Sequence, residues 1–293
     1  MSCALLTAAF TVLLLLPSTA TWAQTARSPR NANYDIAVTL NPQTRMLTAQ
    51  ETITWRNITN NPTSELQFHL YWNAWVDRNS TWMRESQRFR HVDAARDNLA
   101  EFTIAAIGLE SASSAADLMP AVKYIGPDDG NTDDRTVMSV ALPQPVQPGE
   151  SIRVAVAWSA KVPRTFDRTG TIGNYYFIAQ WFPKLGVLED TGWNTHQFHS
   201  TTEFFSDYGV YDVRMTVPSG WVVGATGREQ SRQENGNGTT THRYVQEDVH
   251  DFAWTTSPDF LVRTARGRLR EPVQLIASLD EREASAEMRE LLQ

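Results

Sequence analysis

An all-β protein built as an antiparallel β-sandwich is what this sequence predicts, and three observations predict it. From Tyr34 onward apolar residues recur with period two, the strand period. The alternating runs are short and end at Pro or Gly. Between them there is almost no stretch of ten or more residues with helical spacing, which a parallel α/β fold needs for its crossovers. Alternation with polar residues, in place of continuous apolar runs, marks sheets with one wet face packed against a partner sheet.

The first segment stands apart. Ala4 to Leu16 is apolar except for Thr7 and Thr11, Pro17 breaks the run, and small residues lead to Thr21-Trp22-Ala23. That layout reads as a signal peptide over 1–23, shorter than a comfortable bilayer span, so the expected location is secreted or periplasmic. No Lys or Arg precedes the apolar core, and an uncleaved anchor is the rival reading. The single cysteine, Cys3, lies inside this segment. A mature chain would then carry no disulfide, no thiolate nucleophile and no Cys metal ligand. Residues 24–33 read as a linker.

The strands follow in order. Tyr34, Ile36, Val38 and Leu40 alternate with Asp35, Ala37 and Thr39 until Asn41-Pro42. Ile152, Val154, Val156, Trp158, Ala160 and Val162 share one face before Pro163. Tyr211, Val213, Met215 and Val217 do the same before Pro218-Ser219-Gly220. Weaker strands are expected over 46–57, 66–71, 102–109, 136–142, 175–182, 221–225, 243–246, 252–256 and 260–264. Trp82 to Leu99, rich in Arg, Glu and Ala, suits a short surface helix. The sandwich is expected to occupy 34–264.

At the carboxyl end, Val273, Leu275 and Ala277 alternate as a strand. Asp280 can cap a helix through Glu283, Met288, Leu291 and Leu292. Its apolar face has no evident partner in what precedes it. One reading packs it back on the sandwich. The preferred expectation is that 265–293 opens a second, truncated domain.

Composition excludes some functions. With 293 residues, 41% hydrophobic and 20% charged, the chain is of ordinary globular type. A formal charge of −7 and no basic run argue against a nucleic-acid partner. None of the six His is followed by Glu, so the H-E-x-x-H of zinc peptidases is absent. His196 and His199 have an H-x-x-H spacing, but on a strand they face opposite ways and could chelate together only on a helix or turn. Structural or surface histidines are the expected reading.

Asp128-Asp129-Gly130-Asn131-Thr132-Asp133-Asp134 is acidic but lacks the ligand register of a calcium loop. Asp-Gly and Asn also suit a hairpin connection. No G-x-S-x-G elbow occurs. Glu189-Asp190 and Glu247-Asp248 are carboxylate pairs that turns or solvated faces explain better than glycoside hydrolysis. Sequons stand at Asn57, Asn79 and Asn237.

Several stretches, in order, are similar to one family. They are Tyr34-Asp35-Ile36 to Leu40-Asn41-Pro42 with Leu47 to Ile53, and Asn57 with Leu66-Gln67-Phe68-His69-Leu70-Tyr71-Trp72-Asn73-Ala74. Ala179-Gln180-Trp181-Phe182-Pro183-Lys184 follows, with Asp207 to Val213, Val217-Pro218 to Gly227, and His250-Asp251-Phe252-Ala253-Trp254. Together these resemble the amino-terminal domain of the aminopeptidase N family of gluzincin-type zinc peptidases, over about Tyr34 to Phe260.

The resemblance implies a saddle-like sandwich that covers a zinc domain further along the chain. In such enzymes the metal polarises the peptide carbonyl and activates water, with Glu of H-E-x-x-H as base. Neither that motif nor the Gly-x-Met-Glu-Asn-like exopeptidase motif occurs here. The implied cofactor picture is no group held by this chain and zinc in the missing domain. The implied partner is a peptide substrate reached through that domain, with no membrane span beyond the signal peptide. Gln180 falls on a family position that helps hold the substrate's α-amine. The second such position falls on Phe182, which can neither accept a hydrogen bond nor neutralise an ammonium. The expectation is thus a non-catalytic domain that walls an active site. The alternative is a free-standing module stacking sugars or peptides on exposed aromatics among Trp72, Trp75, Trp82 and Trp193.

Overall fold

The computed structural model describes residues 25–87, 95, 97–110, 115–164, 167–202, 205–265 and 273–277. The signal-peptide expectation for 1–23 and the helix expected after Asp280 lie outside the described residues.

The described chain is strand after strand. β1 (Ala32–Asn41), β2 (Met46–Arg56) and β3 (Thr63–His69) lead into a 3-10 turn (Tyr71–Trp75) and a short helix, α1 (Thr81–Ser86). Next come β4 (Glu101–Glu110), β5 (Ala115–Asp117), β6 (Val122–Ile125), β7 (Val137–Val146) and β8 (Ser151–Lys161). Short strands follow: β9 (Gly170–Ile172), β10 (Tyr175–Ile178), β11 (Lys184–Leu185), β12 (Val187–Glu189) and β13 (Gly192–Asn194). The series ends with β14 (Gly209–Pro218), β15 (Val222–Ala225), β16 (Arg228–Glu234) and β17 (Thr239–Val249). β18 (Trp254–Ser257), β19 (Leu261–Ala265) and β20 (Val273–Ala277) complete it.

Eight strands form the main sheet, in the order β16-β17-β14-β1-β2-β8-β4-β5. Two four-stranded sheets, β15-β18-β10-β9 and β11-β3-β7-β6, accompany it, with the small pairs β12-β13 and β19-β20. The class is all-β, as expected. One detail differs: β1 and β14 pair in parallel, Tyr34 opposite Tyr211 through Thr39 opposite Thr216. A parallel neighbour cannot be reached by a hairpin. The intervening chain, β2 to β13, serves as the connection, and it carries the whole β11-β3-β7-β6 sheet.

Period-two patterning explains the core. Tyr34, Ile36, Val38 and Leu40 on β1, Ile53 and Trp55 on β2, Val154, Val156 and Trp158 on β8, and Tyr211, Val213 and Met215 on β14 are all buried. The opposite face is charged and wet, with Arg214 paired to Asp35 and Arg243 to Asp212. Six Trp side chains (Trp55, Trp72, Trp75, Trp158, Trp181 and Trp254) are among the largest fully buried groups. Each removes a large apolar area from water, the main favourable term of the fold.

Elsewhere the structure adjusts the expectations. β7 runs on through Pro143 and Pro145, past the expected end at Leu142. Its register against β3 slips between Thr63–Val146 and Glu65–Ala141, so both prolines fall in a bulge where no ladder donor is needed. The helix in the Trp82–Leu99 stretch is α1, with Ser80 as N-cap accepting from Met83 N at 3.2 Å. Its Trp82 and Met83 are buried while Arg84 is exposed, and residues 88–94 and 96 of the stretch lie outside the described residues. Residues expected to be linker are tied down: the Arg27 and Ser28 backbone amides, Ser28 Oγ and Arg30 Nε all donate to Asp248 Oδ1. Among the described residues no helix is long and apolar enough to cross a membrane.

Candidate functional site

Strand β10 ends at Ile178, and the chain crosses to β11 through Ala179-Gln180-Trp181-Phe182-Pro183. The expected strand does not continue to Phe182, because Gln180 has φ +54°, in the left-handed region. A non-glycine residue there costs about 1–2 kcal/mol, so neighbouring contacts must hold it. They are visible on both sides. Trp72 Nε1 donates to Ala179 O at 3.0 Å, and Ala179 N donates to Thr169 Oγ1 at 3.3 Å. Trp181 Nε1 donates to Phe252 O at 2.8 Å, with its ring edge-on to Trp158, Phe182 and Trp254. The Gln180 side chain, in a residue only 4% exposed, makes no hydrogen bond to another described residue. An amide with uncommitted donors and acceptor is suited to receiving a polar ligand group.

Phe182 does the opposite. It is buried edge-on against Tyr34 (5.4 Å) and Tyr211 (5.9 Å), whose own rings stack at 4.7 Å. Lys184 Nζ sits 5.3 Å from the Phe182 ring centre. Phe182 is therefore an interior packing residue.

Beneath this loop lie groups that spacing did not single out. Lys184 is fully buried, and its Nζ lies 2.8 Å from Asp251 Oδ1, a charge contact off the line of a good hydrogen bond. Burial lowers the Lys184 pKa, and Asp251 offsets part of that. Asp251 Oδ1 also accepts from Phe252 N at 2.7 Å, so the ion pair and the Trp181–Phe252 bond fasten the same two segments. The sequence signal was present in Pro183-Lys184 and His250-Asp251, but nothing in it marked the lysine as buried.

His69 and His196 are brought together; His196 and His199 are not. His69 stacks on Tyr71 and lies tilted against His196, each at 4.8 Å, and its Nε2 accepts from His196 N at 3.2 Å. Burial pushes the His69 pKa well down, with His196 and Lys184 adding to the effect, so the ring is neutral. His199 turns away, with Nδ1 at 2.7 Å from Glu85 Oε1 and Nε2 at 3.1 Å from Asp128 Oδ2. Among the described residues no three His, Cys, Asp or Glu side chains gather as a metal site would require. The described residues therefore do not assemble a zinc centre.

The acidic 128–134 stretch is the long connection of the β6–β7 hairpin. Its carboxylates are taken by protein donors: Asp128 Oδ2 by Gln197 N, Asp129 Oδ2 by Thr81 Oγ1, Asp134 Oδ2 by Thr81 N. The carboxylate pairs are likewise structural. Asp190 accepts from Asn60, and Glu247 and Asp248 pair with Arg30. The stacking-module alternative loses its platform, because Trp72, Trp75 and Trp82 are buried. Trp193 is half-buried, tilted on Trp55 with its Nε1 donating to Thr63 Oγ1. Sandwich packing recruited these rings for the core, where their area stabilises most.

No protein-family model and no curated protein matches this sequence. Solved structures do match in fold. A mutant M1 zinc metallopeptidase from Deinococcus radiodurans is similar with a TM-score of 0.51 at 17% identity, over 91% of this chain and 52% of that one. A two-domain M1 zinc metallopeptidase mutant bound to L-tryptophan gives 0.50 at 17%, over 91% and 53%. Another bound to L-arginine gives 0.50 at 18%, over 90% and 53%. This chain thus spans about half the length of the structures it matches. At these identities the likeness is one of fold, and the fold is the one found in M1 zinc metallopeptidases, the aminopeptidase N family.

Proposed function

We propose that this chain is the non-catalytic amino-terminal domain of a secreted or periplasmic zinc metallopeptidase of aminopeptidase type. It walls the active site and presents Gln180 to the amino terminus of a peptide. The observation that carries this reading is the Gln180 amide, uncommitted and nearly buried, on a left-handed backbone that Trp72 and Trp181 hold from either side. An amide oxygen accepts from an ammonium, and a preorganised one loses little on binding. Phe182 supplies nothing polar beside it, so amine recognition here rests on a single amide. Zinc, peptide carbonyl polarisation and the general base belong to the neighbouring domain. Export through residues 1–23 places the assembly outside the cytoplasm.

The test compares the chain alone with the chain joined to the sequence encoded after Gln293. Alone, with or without added zinc, it should release no amino acid from short peptides. Joined to a downstream domain bearing H-E-x-x-H, it should release amino-terminal residues. Peptide turnover by the chain alone, or a downstream gene sequence without that motif, would overturn the reading.

A further inference from the structure

Asn57 and Asn237 both stand in sequons, and the fold treats them oppositely. Asn57 is buried, with Nδ2 donating to Asn61 O and Val146 O. Asn237 is exposed at the tip of the β16–β17 hairpin, where Asn235-Gly236-Asn237-Gly238 joins the strands. That tip holds both Asn-Gly pairs of the sequence. An asparagine followed by glycine carries its own nucleophile. The next backbone nitrogen can close a ring on the side-chain carbon within one molecule, and glycine has no Cβ to shield that nitrogen. Gly236 and Gly238 sit at φ +75° and +80°, with open space where a Cβ would stand. The Gly238 N–H makes no hydrogen bond to another described residue.

The two carboxamides of the tip are held with opposite polarity. Asn237 Oδ1 accepts from Thr239 Oγ1 at 2.6 Å and from Thr239 N at 3.2 Å. A backbone N–H can only donate, which fixes the oxygen on that side and leaves Nδ2 without a partner among the described residues. At Asn235 the nitrogen is the bound atom, donating to Thr239 Oγ1 at 2.9 Å and to Thr241 Oγ1 at 3.0 Å. The Thr239 hydroxyl has a single proton and gives it to Asn237, so towards Asn235 it can only accept. Donors on a carbonyl oxygen stabilise the negative charge that forms when a nucleophile adds to the carbon. Bonds on the nitrogen hold back the group that must leave. One tip thus contains an activated carboxamide, Asn237, and a restrained one, Asn235.

We propose that Asn237 is a site of spontaneous, backbone-assisted deamidation, and that the hairpin selects it over Asn235. The Gly238 nitrogen loses its proton to solvent and bonds to Asn237 Cγ. The carbonyl electron pair moves onto Oδ1, where the Thr239 O–H and N–H receive it. It returns as the Cγ–Nδ2 bond breaks, and Nδ2 leaves as ammonia with a proton from solvent. Water then adds to either carbonyl of the cyclic imide. Opening one way leaves an aspartate; opening the other leaves an isoaspartyl link, with the main chain running through Cβ. Nothing is oxidised or reduced, and water is the only co-reactant. Both products add a negative charge to the exposed tip. The isoaspartyl form also lengthens the main chain inside the turn that Asn235 N closes on Thr239 O at 3.0 Å. The site needs no modifying enzyme, and it stands apart from the peptidase reading.

The test incubates the full chain in mildly alkaline buffer and samples it over days. Fragment mass spectra of the tryptic peptide Gln233 to Arg243 assign amide-to-acid conversion to either asparagine. Asn237 should convert about tenfold faster than Asn235, the factor that a donor bond to a developing charge supplies. In concentrated urea the hairpin is gone, and the two Asn-Gly pairs should convert at similar rates. Thr239→Val keeps the branched shape without the hydroxyl and should slow Asn237 about tenfold, while Thr239→Ser should restore it. The urea comparison needs no variant, so it still decides if valine disturbs the hairpin. Equal rates in the folded chain, a preference for Asn237 that survives in urea, or a folded valine variant as fast as the parent would each overturn the proposal.

Discussion

His199 and Glu85 meet at 2.7 Å between Nδ1 and Oε1, and the opposite edge of the same ring reaches Asp128. One imidazole thereby joins α1 to the β6–β7 connection. Burial alone would lower the His199 pKa, but its bonds to Glu85 and Asp128 outweigh that and raise it above 6.5. Burial would raise the Glu85 pKa, yet bonds from His199 and Ser200 bring it below 4.5. Burial would raise the Asp129 pKa, but hydrogen bonds from Asn131, Thr81 and Gln197, with His199 adding least, lower it.

The first prediction is a pH window. The raised His199 pKa gives stability that is fully present below about pH 6.5, the unfolded value, and lost as pH rises through the folded one. The lowered Glu85 pKa gives stability present above about 4.5 and lost as pH falls through its folded value. Stability from this pair is therefore highest between the two. His199→Gln should cost about 0.5–1 kcal/mol at pH 6 and almost nothing at pH 9, since both partners are partly exposed. Urea unfolding at the two pH values measures the difference, and a cost independent of pH contradicts the protonated bridge.

The Lys184–Asp251 pair predicts an asymmetry. Asp251 is partly exposed, so Lys184→Met leaves a carboxylate that water can solvate, at a cost of about 1 kcal/mol. Asp251→Ala leaves a fully buried ammonium without its counter-charge and should cost about 3 kcal/mol. The Lys184 pKa, already lowered by burial, falls further in that variant. The folded state then binds fewer protons than the unfolded one, so Asp251→Ala should gain stability as pH rises toward 10.5. Equal costs for the two variants would contradict burial of the lysine.

Glu51 gives a third prediction. It lies buried in the main sheet, with Oε2 accepting from Trp158 Nε1 at 3.2 Å and Oε1 without a partner. Burial pushes its pKa well above 4.5, so the folded protein holds a proton that the unfolded chain releases. Stability from this site accordingly falls as pH rises above about 4.5. Glu51→Gln should remove that fall and gain about 1 kcal/mol at pH 8, measured by denaturant unfolding. A loss at pH 8 would mean that the ionised carboxylate is tolerated.

The sequence carried the long strands plainly because one face of each is apolar: Tyr34 to Leu40, Ile152 to Ala160 and Tyr211 to Val217 alternate and are buried in alternation. β16 was silent because Arg228–Glu234 is exposed on both faces, an edge with no apolar residue to report it. The parallel β1–β14 pair was silent because pairing partners are not written into period. At the site, Gln180 was legible through the family resemblance, whereas its left-handed backbone depends on Trp72 and Phe252, distant in sequence. The buried tryptophans misled for a related reason: an aromatic ring suits an exposed stacking platform and a core equally well, and only packing decides.

Gln180 separates geometry from chemistry. Its φ of +54° is one that glycine adopts freely, so Gln180→Gly should stabilise the fold by about 1 kcal/mol less what the lost side-chain packing contributes. Gln180→Ala retains the strain and removes only the amide. If the amide accepts from a substrate ammonium, both variants lose that bond in the two-domain zinc enzyme proposed above. A hydrogen bond to a charged group is worth about 1.5–3 kcal/mol, so KM for peptides with a free amino terminus should rise roughly tenfold or more. Amino-terminally acetylated peptides lack the ammonium and should respond little to either change. Thermal unfolding of the two variants reads the backbone, and steady-state kinetics on the paired substrates reads the amide. A glycine variant less stable than the alanine one would remove the left-handed turn from the argument. Equal KM changes for free and acetylated peptides would leave that turn in place and remove the ammonium.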